Sequence, residues 1–293
     1  MAIFEGSAVA IITPFFEDGS VNYPVLEELI EFHIKNHTDA IVIAGTTGES
    51  SVMTDDDQIE VIRFTVEKTA HRIPVIAGTG SNETKHAIIL AKRAEEAGVD
   101  ALLIVTPYYN KTTQKGLIQH YTAIAESVHT PIILYSVASR TGLNITPETV
   151  YALSKVKNIV GIKEASGDLS QIAKISALCG PDFAIYSGND DQTLPILSVG
   201  GKGVISVLAN VMPQQVHDMC QNFFEGKVAQ AQKTFLSTLH LANTLFIETN
   251  PIPVKAAVNL IGFAAGPTVA PLYPMEEGNL AKLKEAMKEQ GLI

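Results

Sequence analysis

Eight short, apolar, β-rich runs recur along the chain, and an amphipathic helical stretch follows each of them. Nearly continuous apolar runs are typical of parallel strands whose faces are both covered. Eight β–α repeats therefore predict an α/β fold, a closed (β/α)8 or TIM barrel. The predicted strands are Ala8–Pro14, Ala40–Ala44, Pro74–Ala77, Ala101–Thr106, Ile132–Ser136, Ile159–Lys163, Phe183–Ser187 and Gly203–Val207.

Helix start signals agree with this count. Thr54 precedes three aspartates, and Pro147 follows Thr146 as a first-turn proline should. A doubly wound sheet would usually have fewer strands and a glycine-rich turn after the first, which Thr13-Pro14-Phe15 does not supply. The predicted helices are Tyr23–Lys35, Asp55–Thr69, Thr84–Ala97, Gln114–Val128, Pro147–Leu153, Leu169–Leu178, Gln192–Val199 and Pro213–Phe224.

Strand signals stop at about Glu225. Helical patterns then cover Lys227–Glu248, Val254–Leu260 and Glu276–Glu289, with Asn250-Pro-Ile-Pro253 as a break. We predict a catalytic barrel in residues 1–224 and a helical extension in residues 225–293. The extension is expected to pack on the barrel or in a subunit interface.

The composition indicates a soluble, globular, cytoplasmic protein. With 31 acidic against 21 basic side chains the net charge is −10, which argues against nucleic acid or an anionic membrane as a partner. The apolar runs are far shorter than the roughly 20 residues of a membrane span, and the N-terminus lacks the basic region of a secretory signal. Cys179 and Cys220 have no motif spacing and are interpreted as free thiols in a reducing compartment.

Lys163 ends an otherwise apolar strand, at the barrel end where βα loops form active sites. Burial disfavours the ammonium form of a lysine, and a neutral amine can attack a ketone to give a Schiff base. The alternative is a strand cap whose charge reaches solvent. The other sixteen of the 17 lysines fall in helices, loops or tails; Lys202 opens its strand, and Lys255 is expected to be structural.

The other strand ends carry polar side chains as well. Thr46-Thr47-Gly48 offers hydroxyls and backbone N–H groups as a carboxylate cradle. Arg140 could bind a substrate carboxylate or simply stabilise its loop. Tyr108, Tyr109 and Tyr135 could relay protons, although aromatic residues at strand ends more often pack.

Metal and triad chemistry are not indicated. His33 and His37 have helical spacing, but they lack the His-Glu-x-x-His pattern and are expected to form a surface pair. No Gly-x-Ser-x-Gly elbow or P-loop occurs.

These strand-end motifs, in this order, resemble the pyruvate-dependent Schiff-base aldolases, the family of N-acetylneuraminate lyase and dihydrodipicolinate synthase. The resemblance runs from Gly6 to the end of the chain. Its markers are Gly45-Thr-Thr-Gly-Glu49, Ile76-Ala-Gly-Thr-Gly80, Thr106-Pro-Tyr-Tyr-Asn110, Gly161-Ile-Lys-Glu-Ala165, Gly203-Val-Ile-Ser-Val207 and Asn250-Pro-Ile-Pro-Val-Lys255.

The resemblance implies a role for each matching residue. Lys163 would form the Schiff base with pyruvate. Thr46, Tyr135 and Tyr109 would relay protons, with Tyr109 donated across a dimer interface. Thr47 would bind the pyruvate carboxylate, and Arg140 would bind the carboxylate of the second substrate. Gly188 and Ile205 would line the site with their backbone.

Arg140 in Ser139-Arg-Thr-Gly142 resembles the branch that condenses pyruvate with L-aspartate-4-semialdehyde to 4-hydroxy-tetrahydrodipicolinate, on the route to diaminopimelate and lysine. The implied enzyme is a lyase with no cofactor beyond the covalent pyruvate Schiff base, and a homotetramer built from two tight dimers. A sugar-acid aldolase of the same family is the nearest alternative, and a catalytically silent regulatory barrel is another.

Two departures from the family pattern carry expectations. The usual Tyr-Asn-Val-Pro segment reads Tyr135-Ser-Val-Ala138, and loss of the proline should loosen the loop that carries Arg140. The pocket for feedback lysine usually carries histidine and glutamate. Its matching positions are Asp55, Gln58 and His86, beside Ser50, Asn82 and Tyr108, so we expect weak or absent inhibition by lysine.

Overall fold

A computed structural model describes residues 2–293 as a closed barrel of eight parallel strands. Each strand pairs with the next in sequence, and the eighth closes on the first. The predicted (β/α)8 barrel is confirmed. The strands are β1 Gly6–Ala10, β2 Ala40–Ile43, β3 Val75–Gly78, β4 Ala101–Val105, β5 Ile132–Ser136, β6 Ile159–Glu164, β7 Ala184–Ser187 and β8 Gly203–Ser206.

Helices surround the barrel, and four of them have the predicted bounds. The other predicted ends differ from the observed ones by at most four residues, while one four-residue helix was missed. The helices are α1 Tyr23–Lys35, α2 Asp55–Thr69, α3 Thr84–Glu96, α4 Gln114–Ala125, α5 Ala138–Thr141, α6 Pro147–Leu153, α7 Leu169–Cys179, α8 Thr193–Ser198, α9 Pro213–Phe224, α10 Val228–Thr244, α11 Ile252–Leu260 and α12 Glu277–Glu289.

The barrel interior is filled at one end only. Small residues and Ile205 pack inside, and the rings of Phe4 and Tyr186 stack with their centroids 4.3 Å apart. The Tyr186 hydroxyl donates to the Phe4 carbonyl at 3.0 Å, which satisfies this buried phenol. The opposite end, where the strands finish, is left for the loops and carries the cavity described below.

Strand register brings two site residues side by side. Tyr135 on β5 lies opposite Lys163 on β6, after an irregularity between Ile132 and Ile133 that places Ile133 opposite Gly161. Paired residues of neighbouring strands face the same side of a sheet. Tyr135 and Lys163 therefore point together, on the inner side of the barrel.

The helical tail packs back on the barrel. α10 lies against α8 and α9, and α12 against α10 and α11. The connection from α10 to α11, residues 246–250, reaches the open end of the barrel. A division after residue 224 stays a prediction. Between residues 2 and 293 no helix has the length and apolar character needed to cross a membrane.

Candidate active site

A cavity of about 660 Å³ opens at the carboxyl ends of the strands. Its lining mixes hydroxyls and glycines with three charged side chains: Lys163, Arg140 and Glu248. Six of the eight predicted site residues line it: Thr46, Thr47, Tyr135, Arg140, Lys163 and Gly188. Tertiary folding therefore brings together residues from four separate strand ends.

Lys163 is the central residue of this cavity. Its side chain is only 6% exposed. Burial lowers the pKa of the Lys163 amine to about 8, with the Asp190 carboxylate acting to raise it and Arg140 to lower it further. The neutral amine that nucleophilic attack on a carbonyl requires is then more accessible than in an exposed lysine, although the ammonium form still predominates at pH 7.

Asp190 is a buried carboxylate for which sequence reasoning assigned no role. It accepts hydrogen bonds from the Ser206 hydroxyl and from the backbone N–H groups of Val207 and Leu208, at 2.9 and 3.0 Å. Burial raises the pKa of Asp190, while these donors and Lys163 oppose that rise. The only sequence signal was its position just after β7, in Ser187-Gly-Asn-Asp190.

Gly188 is a glycine because Ala165 and then Lys163 lie too close to it for a Cβ. A Cβ at this position would stand 2.7 Å from the Ala165 Cβ and 3.1 Å from the Lys163 Cε. Gly161 has a different reason: its Cβ would meet the Ala184 carbonyl of the neighbouring strand at 2.5 Å. The room for the lysine side chain therefore comes from Gly188 rather than from Gly161.

Tyr135 and Thr46 stand beside the amine. The Lys163 Nζ lies 4.4 Å from the Tyr135 ring centroid, a cation–π distance for the protonated form. Burial raises the pKa of the Tyr135 phenol, and the Arg140 charge and a hydrogen bond with Thr46 act against that rise. A protonated phenol near a hydroxyl can both donate and accept, as a relay must.

Asn250 joins the two carboxylate-binding candidates. Its side-chain amide donates to the Thr47 hydroxyl at 3.0 Å, and its backbone carbonyl accepts from the Arg140 guanidinium at 3.2 Å. The Asn250 Oδ1 is buried without a protein donor among the described residues. The marker motif contained Asn250, but nothing in the sequence indicated which side chains it would contact.

The loop that carries Arg140 forms the short helix α5. The Thr141 hydroxyl accepts from Thr106 at 3.0 Å, and Ser136 donates to the Asn144 side chain at 3.1 Å. Asn144 in turn donates to Gln171 of α7 at 2.6 Å. Hydrogen bonds thus anchor this loop at both ends, and the expected loosening from the missing proline stays a prediction.

Two predicted site residues lie outside the cavity lining. Tyr109 is 93% exposed, on a left-handed backbone with φ of 68°. The Ile205 side chain is fully buried inside the barrel. Within a single chain, neither Tyr109 nor Ile205 is therefore part of the cavity lining.

One further lysine is buried, and one expectation about the histidines is wrong. Lys255, which was expected to be structural, is 1% exposed and pairs with Glu49. His33 does not form a surface pair with His37: it is buried, its Nδ1 lies 3.1 Å from the Thr38 hydroxyl, and burial lowers its pKa to about 3. Among residues 2–293 no group of three or more metal-binding side chains forms a candidate metal site.

Three residues expected at the feedback pocket already have hydrogen-bond partners within the chain. The His86 Nε2 lies 2.9 and 3.0 Å from the two Asp55 carboxylate oxygens. The Gln58 amide donates to the Gly78 carbonyl at 2.8 Å. Three polar side chains at this place are thereby already engaged.

Comparison with known proteins gives consistent matches over the whole chain. The model of the dihydrodipicolinate synthetase family matches residues 3–290. The 4-hydroxy-tetrahydrodipicolinate synthase 1 of Clostridium acetobutylicum is 61% identical over 293 residues, 100% of both chains. Among solved structures, a monomeric dihydrodipicolinate synthase variant has a TM-score of 0.97 at 41% identity, covering 99% of this chain and 98% of its own. Dihydrodipicolinate synthase from Cyanidioschyzon merolae with lysine bound has a TM-score of 0.97 at 40% identity, covering 100% of both chains.

Proposed function

The chain belongs to the dihydrodipicolinate synthetase family, and we propose that it is a lyase that condenses pyruvate with L-aspartate-4-semialdehyde. The product is 4-hydroxy-tetrahydrodipicolinate, on the route to diaminopimelate and lysine. One observation carries this proposal: a buried lysine with a pKa lowered to about 8 shares a cavity with an arginine. The lysine fits a ketone, and the arginine fits a carboxylate.

Lys163 forms the covalent intermediate. Its neutral amine adds to C2 of pyruvate, and loss of water leaves an imine that acidifies the neighbouring methyl group. Removal of a C3 proton gives an enamine, and its C3 attacks the aldehyde carbon of the second substrate. The amine of that substrate then replaces Lys163 at C2 and closes the ring, so that no separate cofactor is needed.

Tyr135 and Thr46 move the protons that these steps require. Both line the cavity, and the burial that raises the pKa of Tyr135 keeps its phenol protonated until a base accepts the proton. Thr47, fixed by Asn250, binds the pyruvate carboxylate. Gly188 completes the wall of the site beside Lys163.

Arg140 binds the carboxylate of the aspartate semialdehyde. Its guanidinium lines the cavity mouth and has one protein acceptor among the described residues, the Asn250 carbonyl. A planar guanidinium retains donors for a carboxylate after making one such bond. An arginine at this position favours the semialdehyde, which has a carboxylate to bind, over a sugar acid, which has hydroxyls there.

Tyr109 completes the relay from a second copy of the chain. A phenol that is 93% exposed on a left-handed backbone contributes little to its own subunit. We expect it to enter the partner's cavity in a tight dimer, with two such dimers forming a tetramer. The condensation belongs in the cytoplasm, where the thiols of Cys179 and Cys220 stay reduced.

The decisive experiment is trapping by borohydride. Wild-type protein incubated with pyruvate and borohydride should gain the mass of one reduced pyruvate adduct per chain, and Lys163→Ala should gain none. Lys202→Ala, at the opposite barrel end, is the matched control and should still form the adduct. Absence of an adduct on the wild-type protein would favour a silent barrel.

Substrate choice is tested by turnover. Aspartate semialdehyde should be consumed with pyruvate, whereas N-acetylneuraminate and 2-keto-3-deoxy acids should not be cleaved. Arg140→Ala should keep the pyruvate adduct but lose about 2–3 kcal/mol of transition-state binding for the semialdehyde, the range for a charged hydrogen bond. Cleavage of a sugar acid by the wild-type protein would contradict the proposal.

A further inference from the structure

A fully buried ion pair lies behind the turn that carries Thr46 and Thr47. The Lys255 Nζ is 2.7 Å from the Glu49 Oε1, and the two side chains are 2% and 1% exposed. Taking two charges out of water is unfavourable, and apolar residues of similar volume often serve stability as well or better. The reaction proposed above uses neither residue, so stability alone does not account for this pair.

Glu49 controls the shape of this turn, residues 46–49. Its backbone is left-handed, with φ of 56°, a conformation that residues with a Cβ rarely adopt. Its N–H donates to the Thr46 carbonyl at 3.1 Å, and its second carboxylate oxygen accepts from the Val269 N–H at 2.9 Å. Both oxygens of Glu49 are therefore held by the C-terminal extension.

Lys255 is held as firmly on the other side of the pair. Its Nζ lies 4.2 Å from the Phe15 ring centroid, and the Phe15 N–H donates to the Ala265 carbonyl at 3.0 Å. The Glu49 charge opposes the lowering of the Lys255 pKa that burial causes. The amine therefore has a carboxylate and an aromatic face as partners and is aligned by both.

A second contact from the extension reaches the same turn. The Asn250 amide donates to the Thr47 hydroxyl, so Asn250 orients the side chain while Glu49 and Lys255 fix the backbone beneath it. These contacts join residues that are 203 and 206 positions apart. The extension is thus in direct contact with the cradle for the pyruvate carboxylate.

We propose that Glu49 and Lys255 are positioning residues, and that through their ion pair the C-terminal extension holds the turn so that Thr46 and Thr47 face pyruvate on Lys163. This inference rests on the proposed function for its ligand. The extension then takes part in pyruvate recognition. Loss of the ion pair should weaken pyruvate binding more than it weakens binding of the second substrate.

The test uses Lys255→Met, Glu49→Gln and the double variant, with Lys202→Met as the matched control in the exposed pair with Glu5. Three quantities are measured on the full-length protein. These are the pyruvate concentration that half-saturates borohydride trapping, the KM for aspartate semialdehyde, and amide hydrogen exchange in residues 45–50. Thermal unfolding separates local from global effects.

Lys255→Met should raise the half-saturating pyruvate concentration about tenfold and speed exchange in residues 45–50, because displacement of a positioning group weakens binding steeply. The KM for the semialdehyde should change less than about twofold, and Lys202→Met should change nothing. Lys255→Arg, which keeps the charge, should recover part of the pyruvate affinity.

A folded Lys255→Met variant with unchanged exchange and unchanged pyruvate saturation would overturn the inference. Should that variant not fold, the double variant decides, since it leaves no unpaired buried charge. If the double variant regains stability but still binds pyruvate weakly, the positioning role is supported. If it regains both stability and pyruvate binding, that role is overturned. If the wild type forms no adduct, the proposed function fails, while hydrogen exchange still reports whether the pair holds the turn.

Discussion

At the scale of single residues, the reactivity of Lys163 is set by opposing neighbours. Burial and Arg140 lower the pKa of its amine, whereas Asp190 raises it, and the balance lies near 8. Asp190 is itself held by two backbone N–H groups, so its carboxylate keeps one position. Under the proposed function, the lowered pKa favours the reactive neutral amine, and the Asp190 carboxylate would stabilise the cationic imine.

Asp190→Asn should shift the pH profile of adduct formation to lower pH. Removing a nearby anion removes a force that raises the pKa of Lys163, so the amine becomes neutral at lower pH, by about one unit. Borohydride trapping between pH 5 and 9 measures the midpoint. Asp191→Asn, at the exposed neighbouring position, should leave it in place; an unmoved midpoint in Asp190→Asn would contradict this role.

Gly188→Ala should reduce the rate of adduct formation more than about tenfold. The new Cβ would crowd the Lys163 Cε at 3.1 Å and the Ala165 Cβ at 2.7 Å, so the amine has to move from its attack position. Gly278→Ala is the matched control, because a Cβ there meets nothing within 4 Å. Equal trapping rates in both variants would contradict the prediction, because they would show that the added methyl group does not displace Lys163.

At the scale of elements, the short helix α5 shows how this chain holds Arg140 without the usual proline. Val137 is the N-cap residue of this helix, and the Arg140 and Thr141 N–H groups donate to the Val137 carbonyl at 2.9 and 3.1 Å. The Ser136 hydroxyl donates to the Asn144 side chain and accepts from the Ile145 N–H at 3.3 Å. These hydrogen bonds restrain the loop, as a proline ring would do by restricting the backbone.

Ala138→Pro should therefore raise stability by about 0.5–1 kcal/mol with little change in turnover. Position 138 is the first residue of α5, where proline is tolerated, and its ring restricts the unfolded chain. Ala138→Gly should act in the opposite direction by a similar amount. Urea unfolding of the two variants measures both effects, and a loss of stability in Ala138→Pro would mean that the ring does not fit.

The feedback region is the second element-level case. Asp55 opens α2 and His86 lies in the first turn of α3, and the hydrogen bond between them ties the two helices together beside the predicted lysine pocket. Side chains already engaged with each other are poor ligands for an added ammonium or carboxylate.

We expect free lysine to inhibit turnover weakly or not at all. A coupled assay should show less than half inhibition at micromolar lysine. The comparison is Asp55→His/His86→Glu, which places histidine and glutamate in this pocket as in the family that the sequence resembles, and it should bind lysine more tightly. Half-inhibition of the wild type at micromolar lysine would refute the prediction.

At the scale of the whole molecule, burial of a neutral histidine couples folding to pH. Burial lowers the pKa of His33 to about 3, whereas the unfolded chain has its ordinary value near 6.5. Between these values the unfolded state binds a proton that the folded state refuses. The contribution of His33 to the free energy of unfolding is therefore complete above about pH 6.5 and is lost as the pH falls.

The free energy of unfolding should consequently fall below pH 6.5, by up to about 1.4 kcal/mol per pH unit from His33 alone. His33→Gln should flatten the curve by that slope. His71→Gln, at an exposed position, should not. Urea unfolding at pH 7, 6 and 5 provides the comparison, and parallel curves for wild type and His33→Gln would exclude the coupling.

The sequence by itself determined the barrel and the place of its reactive lysine. Apolar periodicity is local, so it identified all eight strands, and chain order then put Lys163, Thr46 and Arg140 at one end of them. Helix caps are local too: Thr54 accepts from the Asp57 N–H at 3.2 Å, as its sequence context predicted. These features depend on residues only a few positions apart.

Only the tertiary structure decided the environment of that lysine. Asn250 on Thr47 and Lys255 on Glu49 are contacts that span 203 and 206 positions. The charge of Asp190, on another strand end, raises the pKa of Lys163. Burial also turned His33 from an expected surface residue into a core one. Desolvation and long-range partners set pKa values and geometry, and neither is encoded in the local pattern from which elements are predicted.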